Sequence, residues 1–166
     1  MNKLYKLLLL AISLFICGSC NDEWKDEQFQ HYVSFKAPLE NEGVTNIYVR
    51  YRESVKTTFY QPLEVSGSTT NDTDLRVNIG VDADTLGVIN YARFQNREDF
   101  YYKQLPENYY TIPPIVNLKS GDNTGLLPID FSLKGIDMVE KWVLPLTILD
   151  DPSNTYKANP RKHYRK

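Results

Sequence analysis

Cysteine and histidine are scarce: the 166-residue chain has two of each. Both cysteines, Cys17 and Cys20, stand in the first twenty residues. The body of the chain therefore has no thiol for a disulfide, a zinc site or a nucleophile. His31 and His163 lie at opposite ends, with no His-x-Glu or Cys-x-x-Cys beside them, so a metal centre or a catalytic triad finds no support and no cofactor is expected. Neither sign of charge dominates: 19 basic and 21 acidic side chains leave a formal charge of −2, which offers nucleic acid no general attraction. Internal repeats and low-complexity stretches are absent, which excludes a solenoid. A (β/α)₈ barrel needs about 250 residues, so a whole glycosidase barrel does not fit. What is present is a globular composition, 42% hydrophobic and 24% charged, with twelve tyrosines. Such aromatic content favours a β-rich fold. The balance points to a binding or structural module, not an enzyme.

The one long apolar run, Leu7–Ile16, follows Lys3 and Lys6 and precedes Gly18-Ser19-Cys20. A spanning helix wants about 20 apolar residues, so this run reads as a secretory signal peptide over 1–19. The Gly18-Ser19-Cys20 junction resembles a bacterial lipobox, with Cys20 the acylated first residue of the mature protein, although Cys17 stands where an aliphatic residue is usual. The alternative is ordinary cleavage nearby with Cys20 a bystander. Acylation would tether the protein to outer-membrane lipid without a spanning segment. Residues 20–28, rich in Asp and Glu, form an acidic tether.

Beyond residue 29 the apolar spacing is mostly two. Gln30–Phe35, Thr45–Arg52, Phe59–Val65, Leu75–Val81, Ile115–Lys119, Leu126–Leu133 and Trp142–Leu149 all read as strands. Thr45–Arg52 is the clearest, with Ile47, Val49 and Tyr51 on one side. Pro62 suggests an edge strand or a bulge. Asp84–Phe94 breaks the pattern, with Leu86, Ile89 and Phe94 at helical spacing and Asp82 or Asp84 able to cap its start. About seven short strands at this spacing argue for an all-β, immunoglobulin-like β-sandwich over 29–152 with one short helix. Residues 153–166 hold no alternating apolar run and read as a basic tail, a frayed end or the lead-in to a missing last strand.

Paired carboxylates hydrolyse glycosides when held at a fixed separation. Asp150 and Asp151 are strand neighbours and point to opposite faces. Asp82 and Asp84 sit where strand gives way to helix, and turn or cap duty explains them. The same pair fails as a calcium loop, because Leu86 occupies the fifth position. No catalytic residue is assigned. Aromatics crowd between residues 91 and 110, and a sugar's C–H face packs on such rings. Most of these rings are expected in the core; any glycan platform is expected at Tyr101, Tyr102 and Tyr110. Trp142 is expected in the core.

The runs Val44–Tyr51, Tyr91-x-x-Phe94, Leu105-Pro106-x-x-Tyr109-Tyr110 and Trp142–Ile148 are similar to the immunoglobulin-like N-terminal domain of Bacteroidetes surface lipoproteins from glycan-utilisation loci, long classed as a domain of unknown function. The resemblance covers about residues 28–160. It implies a spacer or glycan-binding support on the cell surface, in contact with glycans or a glycan-uptake complex. Members also occur in front of endo-β-N-acetylglucosaminidase barrels, so a truncated accessory domain of a surface endoglycosidase is the alternative. Another is a fimbrial-type subunit completed by a donor strand, because members normally continue past Arg161–Lys166 into a last apolar strand. In the same lineage, the acidic residues after Cys20 resemble an export signal to the outer face of the outer membrane. A periplasm-facing orientation is the alternative. Asp84-Thr85-Leu86 resembles an O-glycosylation acceptor, with Thr85 expected to be exposed.

Overall fold

The computed structural model describes residues 26–37 and 44–159; Cys20, the tether up to residue 25 and the segment 160–166 lie outside them. Three strands carry most of the core because their sequences alternate. In β3 (Leu75–Val81), Leu75, Val77 and Ile79 are buried while Arg76 is exposed. In β7 (Thr124–Phe131), Leu127, Ile129 and Phe131 point inward. In β2 (Thr57–Ser66), Leu63 and Val65 do so. Successive side chains of a strand face opposite ways, so alternation in sequence becomes one greasy face per sheet. Leu63 and Leu127 are both 0% exposed and lie at the centre.

The strands form an all-β sandwich. One sheet has five strands in the order β10 (Lys157–Ala158), β1 (Tyr32–Phe35), β2, β7, β5 (Tyr110–Thr111). A second has β6 (Ile115–Leu118), β3 and β9 (Leu146–Leu149). A short parallel pair joins β4 (Lys103–Gln104) to β8 (Trp142–Val143). The sheets share one core, to which Phe35, Phe59, Leu144 and Ile148 add half-buried side chains. Trp142 joins this core from its edge, its indole N–H donating to the Asp137 carbonyl at 2.7 Å.

Helix α1 (Ala83–Phe94) connects β3 to the β4 region. Asp82 is its N-cap: its carboxylate accepts from the Thr85 N–H at 3.1 Å and from the Thr85 hydroxyl at 2.7 Å. Such a cap satisfies backbone donors that the first turn leaves unpaired. Leu86, Ile89 and Asn90 form the buried face, the i, i+3, i+4 stripe of one helix side. No helix among the described residues is long and apolar enough to cross a membrane.

The structure corrects four expectations about the strands. Thr45–Arg52 forms no strand: among the described residues its backbone joins no ladder, Tyr48 is 98% exposed and only Val49 packs on the core. Alternation marks which side chains can share a face, but a strand also needs a backbone partner, and among the described residues this segment joins no sheet. Pro62 lies in the central strand β2, neither at an edge nor in a bulge. Its carbonyl accepts from Lys36 N–H at 2.9 Å, just past the end of β1. Both backbone groups of a strand residue face one side, so the missing N–H costs no bond to β7. The run Trp142–Leu149 is two strands, divided at Leu144-Pro145. Lys157–Ala158, within the segment read as tail, pair with Tyr32 and Val33 of β1, and Tyr156 before them is buried.

Candidate functional site: a cavity with an aromatic rim

A cavity of about 930 Å³ opens between the five-stranded sheet, α1, the 142–146 run and the segment 44–49. Its apolar floor includes Phe59, Ile129 and Phe131 from the sheet and Leu86 and Ile89 from the helix. Gln61, Asp82, Thr85, Glu140 and Lys141 supply polar groups along it. This volume and mixture of lining suit a small organic ligand or a few sugar units.

At the end of α1, Phe94 and Tyr102 reach this cavity from a larger ring cluster. Phe94 meets Tyr102 edge to face at 5.3 Å, Tyr101 at 6.2 Å and Phe100 at 6.4 Å. The cluster depends on Asn90, a buried polar residue of the helix. Its side-chain amide donates to the Tyr102 carbonyl at 2.8 Å and accepts from the Tyr102 N–H at 2.9 Å. Cations edge the rings. The Arg93 guanidinium donates to the Tyr102 hydroxyl at 2.6 Å. Arg97 sits 5.2 Å from the Phe100 centroid, and the Lys141 ammonium lies 5.3 Å from Phe100 and 5.8 Å from Phe94.

The residues singled out in the sequence are only partly brought together. Tyr101 and Tyr102 belong to one cluster, both half-buried, and the Tyr101 hydroxyl donates to the Gln95 carbonyl at 2.5 Å. Tyr110 is elsewhere, in β5 opposite Phe131 and packed on the core. Burial, with Glu107 nearby, raises its pKa. Thr85 is half-buried at the cavity with its hydroxyl bound to Asp82, not exposed as its place in the first helical turn suggests. Asp151 accepts from Ser153 in a turn and from Asn78 of β3, and Asp150 accepts from the Ala158 N–H of β10, so both hold structure in place. Phe94 and Phe100 belong to the aromatic crowd of residues 91–110 but not to the expected platform, and Asn90 and Lys141 are not among the expected site residues. Asn90 on an apolar helix stripe was the readable signal, since a buried amide must have partners. Lys141 carried none, because it arrives from a distant part of the chain.

Residues 24–152 match the family described as a domain of unknown function, DUF4973. The chain belongs to this family. No curated protein matches it. Among solved structures, this DUF4973 domain is 49% identical to a multidomain protein including DUF1735 from Bacteroides ovatus, with a TM-score of 0.69 over 76% of this chain and 43% of that one. It is 38% identical to an auxiliary nutrient binding protein from Bacteroides thetaiotaomicron, with a TM-score of 0.63 over 81% of this chain and 45% of the other. A carbohydrate binding protein from Bacteroides ovatus, so named provisionally, shares the fold at 16% identity and a TM-score of 0.53, over 71% of this chain and 31% of that one. The chain thus spans less than half the length of these structures.

The DUF4973 domain holds a second polar cluster where its first and last described segments meet. Glu27 Oε2 lies 2.5 Å from His31 Nε2, and Thr69 Oγ1 lies 3.3 Å from the same nitrogen. A relay needs acid and nucleophile on opposite ring nitrogens, so these three groups form no triad. His31 Nδ1 is buried with no hydrogen-bond partner among the described residues. Gly67 makes this placement possible, since a Cβ there would stand 2.3 Å from Nδ1. The His31 ring stacks on Tyr156 at 4.4 Å, and the Tyr156 hydroxyl donates to Asp72 at 2.5 Å. Partial burial works to raise the Glu27 pKa, but hydrogen bonds from Thr69, Ser68 and Phe29 outweigh it and hold the group well below the carboxylate range. These contacts fasten the segment before β1 to the segment before β10. Among the described residues no three His, Cys, Asp or Glu side chains gather as a metal shell.

Proposed function

We propose that this chain is a non-catalytic accessory module of glycan utilisation, a glycan-binding support or spacer held at the cell surface through acylated Cys20. The observation that carries the reading is the cavity lined by Phe94 and Tyr102 together with Gln61, Asp82 and Glu140. Aromatic faces take a sugar's C–H side while amides and carboxylates take its hydroxyls. The likeness at 38% identity to a protein named as an auxiliary nutrient binder supports the same direction. An immunoglobulin-like ancestry for the sandwich, outward orientation on the outer membrane and O-glycosylation at Thr85 are further parts of this reading. The greater length of the solved relatives favours a second reading, an accessory domain working within a larger surface protein such as an endoglycosidase.

The test is affinity electrophoresis of residues 21–166, which include every described residue, through gels carrying plant and host glycans. Retardation by at least one glycan, lost in Tyr102→Ala and kept in Tyr110→Ala, is expected. Retardation by none leaves only a spacer, and hydrolysis of any of them by this chain overturns the non-catalytic reading. Labelling with a palmitate analogue should require Cys20, and surface protease should reach the protein on whole cells.

A further inference from the structure

Two cations at the aromatic cluster have no acidic partner among the described residues. Among the described residues, Arg97 and Lys141 are in no salt bridge, whereas Glu140, next to Lys141, is bound to Lys103 Nζ at 2.6 Å. Glu98 and Asp99 follow Arg97 in a short 3₁₀ turn without an ion pair to it. Both cations lie close to the same ring, Phe100, at 5.2 and 5.3 Å, and that ring is 42% exposed. Arg97 and Lys141 are themselves exposed. The chain as a whole carries a net charge of −2, so paired positive charge beside an open ring is a local feature, not a reflection of composition. Lys141 also borders the cavity, although Phe100 itself does not line it.

An unpaired guanidinium and an ammonium offer charge-assisted hydrogen bonds to an anionic group, and a guanidinium fork matches the planar oxygens of a carboxylate. A ring edge or face left open between them offers the apolar contact that a pyranose needs. We propose that the Phe100 face, with Arg97 and Lys141, recognises an anionic saccharide: the sugar's C–H side rests on Phe100 while its carboxylate or sulfate ester is held by the two cations. This inference rests on the glycan-binding reading above and names the class of glycan.

The experiment measures binding of residues 21–166 by titration calorimetry to matched pairs. Galacturonan is compared with its carboxyl-reduced, neutral form, and dextran sulfate with dextran. The anionic member of at least one pair should bind about tenfold or more tightly than its neutral match, the effect of one charge-assisted hydrogen bond or more. Which pair shows the difference distinguishes carboxylate from sulfate. Arg97→Ala with Lys141→Ala should abolish the difference, and Phe100→Ala should weaken the anionic member. Poly-glutamate should not compete, since it has charge but no sugar face. Circular dichroism of each variant separates loss of binding from loss of fold. Equal binding within both pairs, or competition by poly-glutamate, overturns the inference and leaves the glycan-binding reading standing. Failure to bind these four and every glycan of the electrophoresis panel removes both.

Discussion

Asn90 grips Tyr102 by both of its backbone groups, with the amide nitrogen 2.8 Å from the carbonyl oxygen and the amide oxygen 2.9 Å from the N–H. The helix thereby holds an irregular stretch in register where neither α nor β pairing does so. Asn90→Leu removes both bonds and leaves two backbone groups unsatisfied. A loss of about 2–4 kcal/mol is expected, at about 1 kcal/mol per bond plus the penalty of orphaned groups. Urea denaturation reads it. Because Tyr102 borders the cavity, the same variant should also weaken glycan retardation under conditions where the protein remains folded.

The centre of the sandwich should be far more sensitive than its aromatic surface. Leu127→Ala, at a fully buried site, is expected to cost about 2–5 kcal/mol through lost burial and a cavity. Tyr48→Ala, at a residue 98% exposed, should change stability by less than about 0.5 kcal/mol. Thermal melts of the two variants check the contrast, and a large loss for Tyr48→Ala would mean that the 44–51 segment pairs in solution.

Stability should fall in acid, and Glu27 should carry part of the fall. Its folded pKa is depressed, so the folded state binds its proton less readily than the unfolded chain, whose value is near 4.5. The stabilisation is therefore present above about pH 4.5 and is lost progressively as pH drops below it. Asp74 and Asp151 are shifted in the same direction by Ser120 and Ser153 respectively. Glu27→Gln should flatten the acid limb of a pH-stability curve without abolishing it. At the other extreme, Tyr156 is raised by burial and by its hydrogen bond to Asp72. Its contribution is complete below pH 10 and is lost as pH rises beyond it, an alkaline limb that Tyr156→Phe should weaken.

Asp82→Ala removes the acceptor for both the N–H and the hydroxyl of Thr85. A loss of about 0.5–2 kcal/mol is expected for such a cap. Asp82→Asn, which keeps an acceptor, should recover most of it, and denaturation midpoints of the two variants give the comparison.

How much was legible differs element by element. Leu75–Val81 could be read residue for residue, and the helix to within one residue at its start, because each element's periodicity is the cause of its own burial. Leu127, Ile129 and Phe131 were legible for the same reason. Pairing was not. Thr45–Arg52 has better alternation than β2, yet β2 occupies the middle of the sheet, since backbone partners come from chain segments that local pattern does not specify. The candidate site shows the same division. An aromatic crowd between residues 91 and 110 was visible, but its sorting was not: Phe94 and Tyr102 went to the cavity rim and Tyr110 to the core.

What the amino-acid order determined by itself is local and periodic: an apolar run over Leu7–Ile16, strands of period two, a helix with Asp82 or Asp84 at its start, and a stretch from residue 21 onward without cysteine that relies on packing. What only the tertiary structure decided depends on residues far apart in the chain. It brought Lys141 to the Phe94 and Phe100 rings, seated His31 between Gly67 and Tyr156, and paired Lys157–Ala158 with β1. The physical reason is range. Side-chain periodicity and capping act over a few neighbouring residues, whereas charge, ring stacking and sheet pairing act through space once the fold has closed the distance.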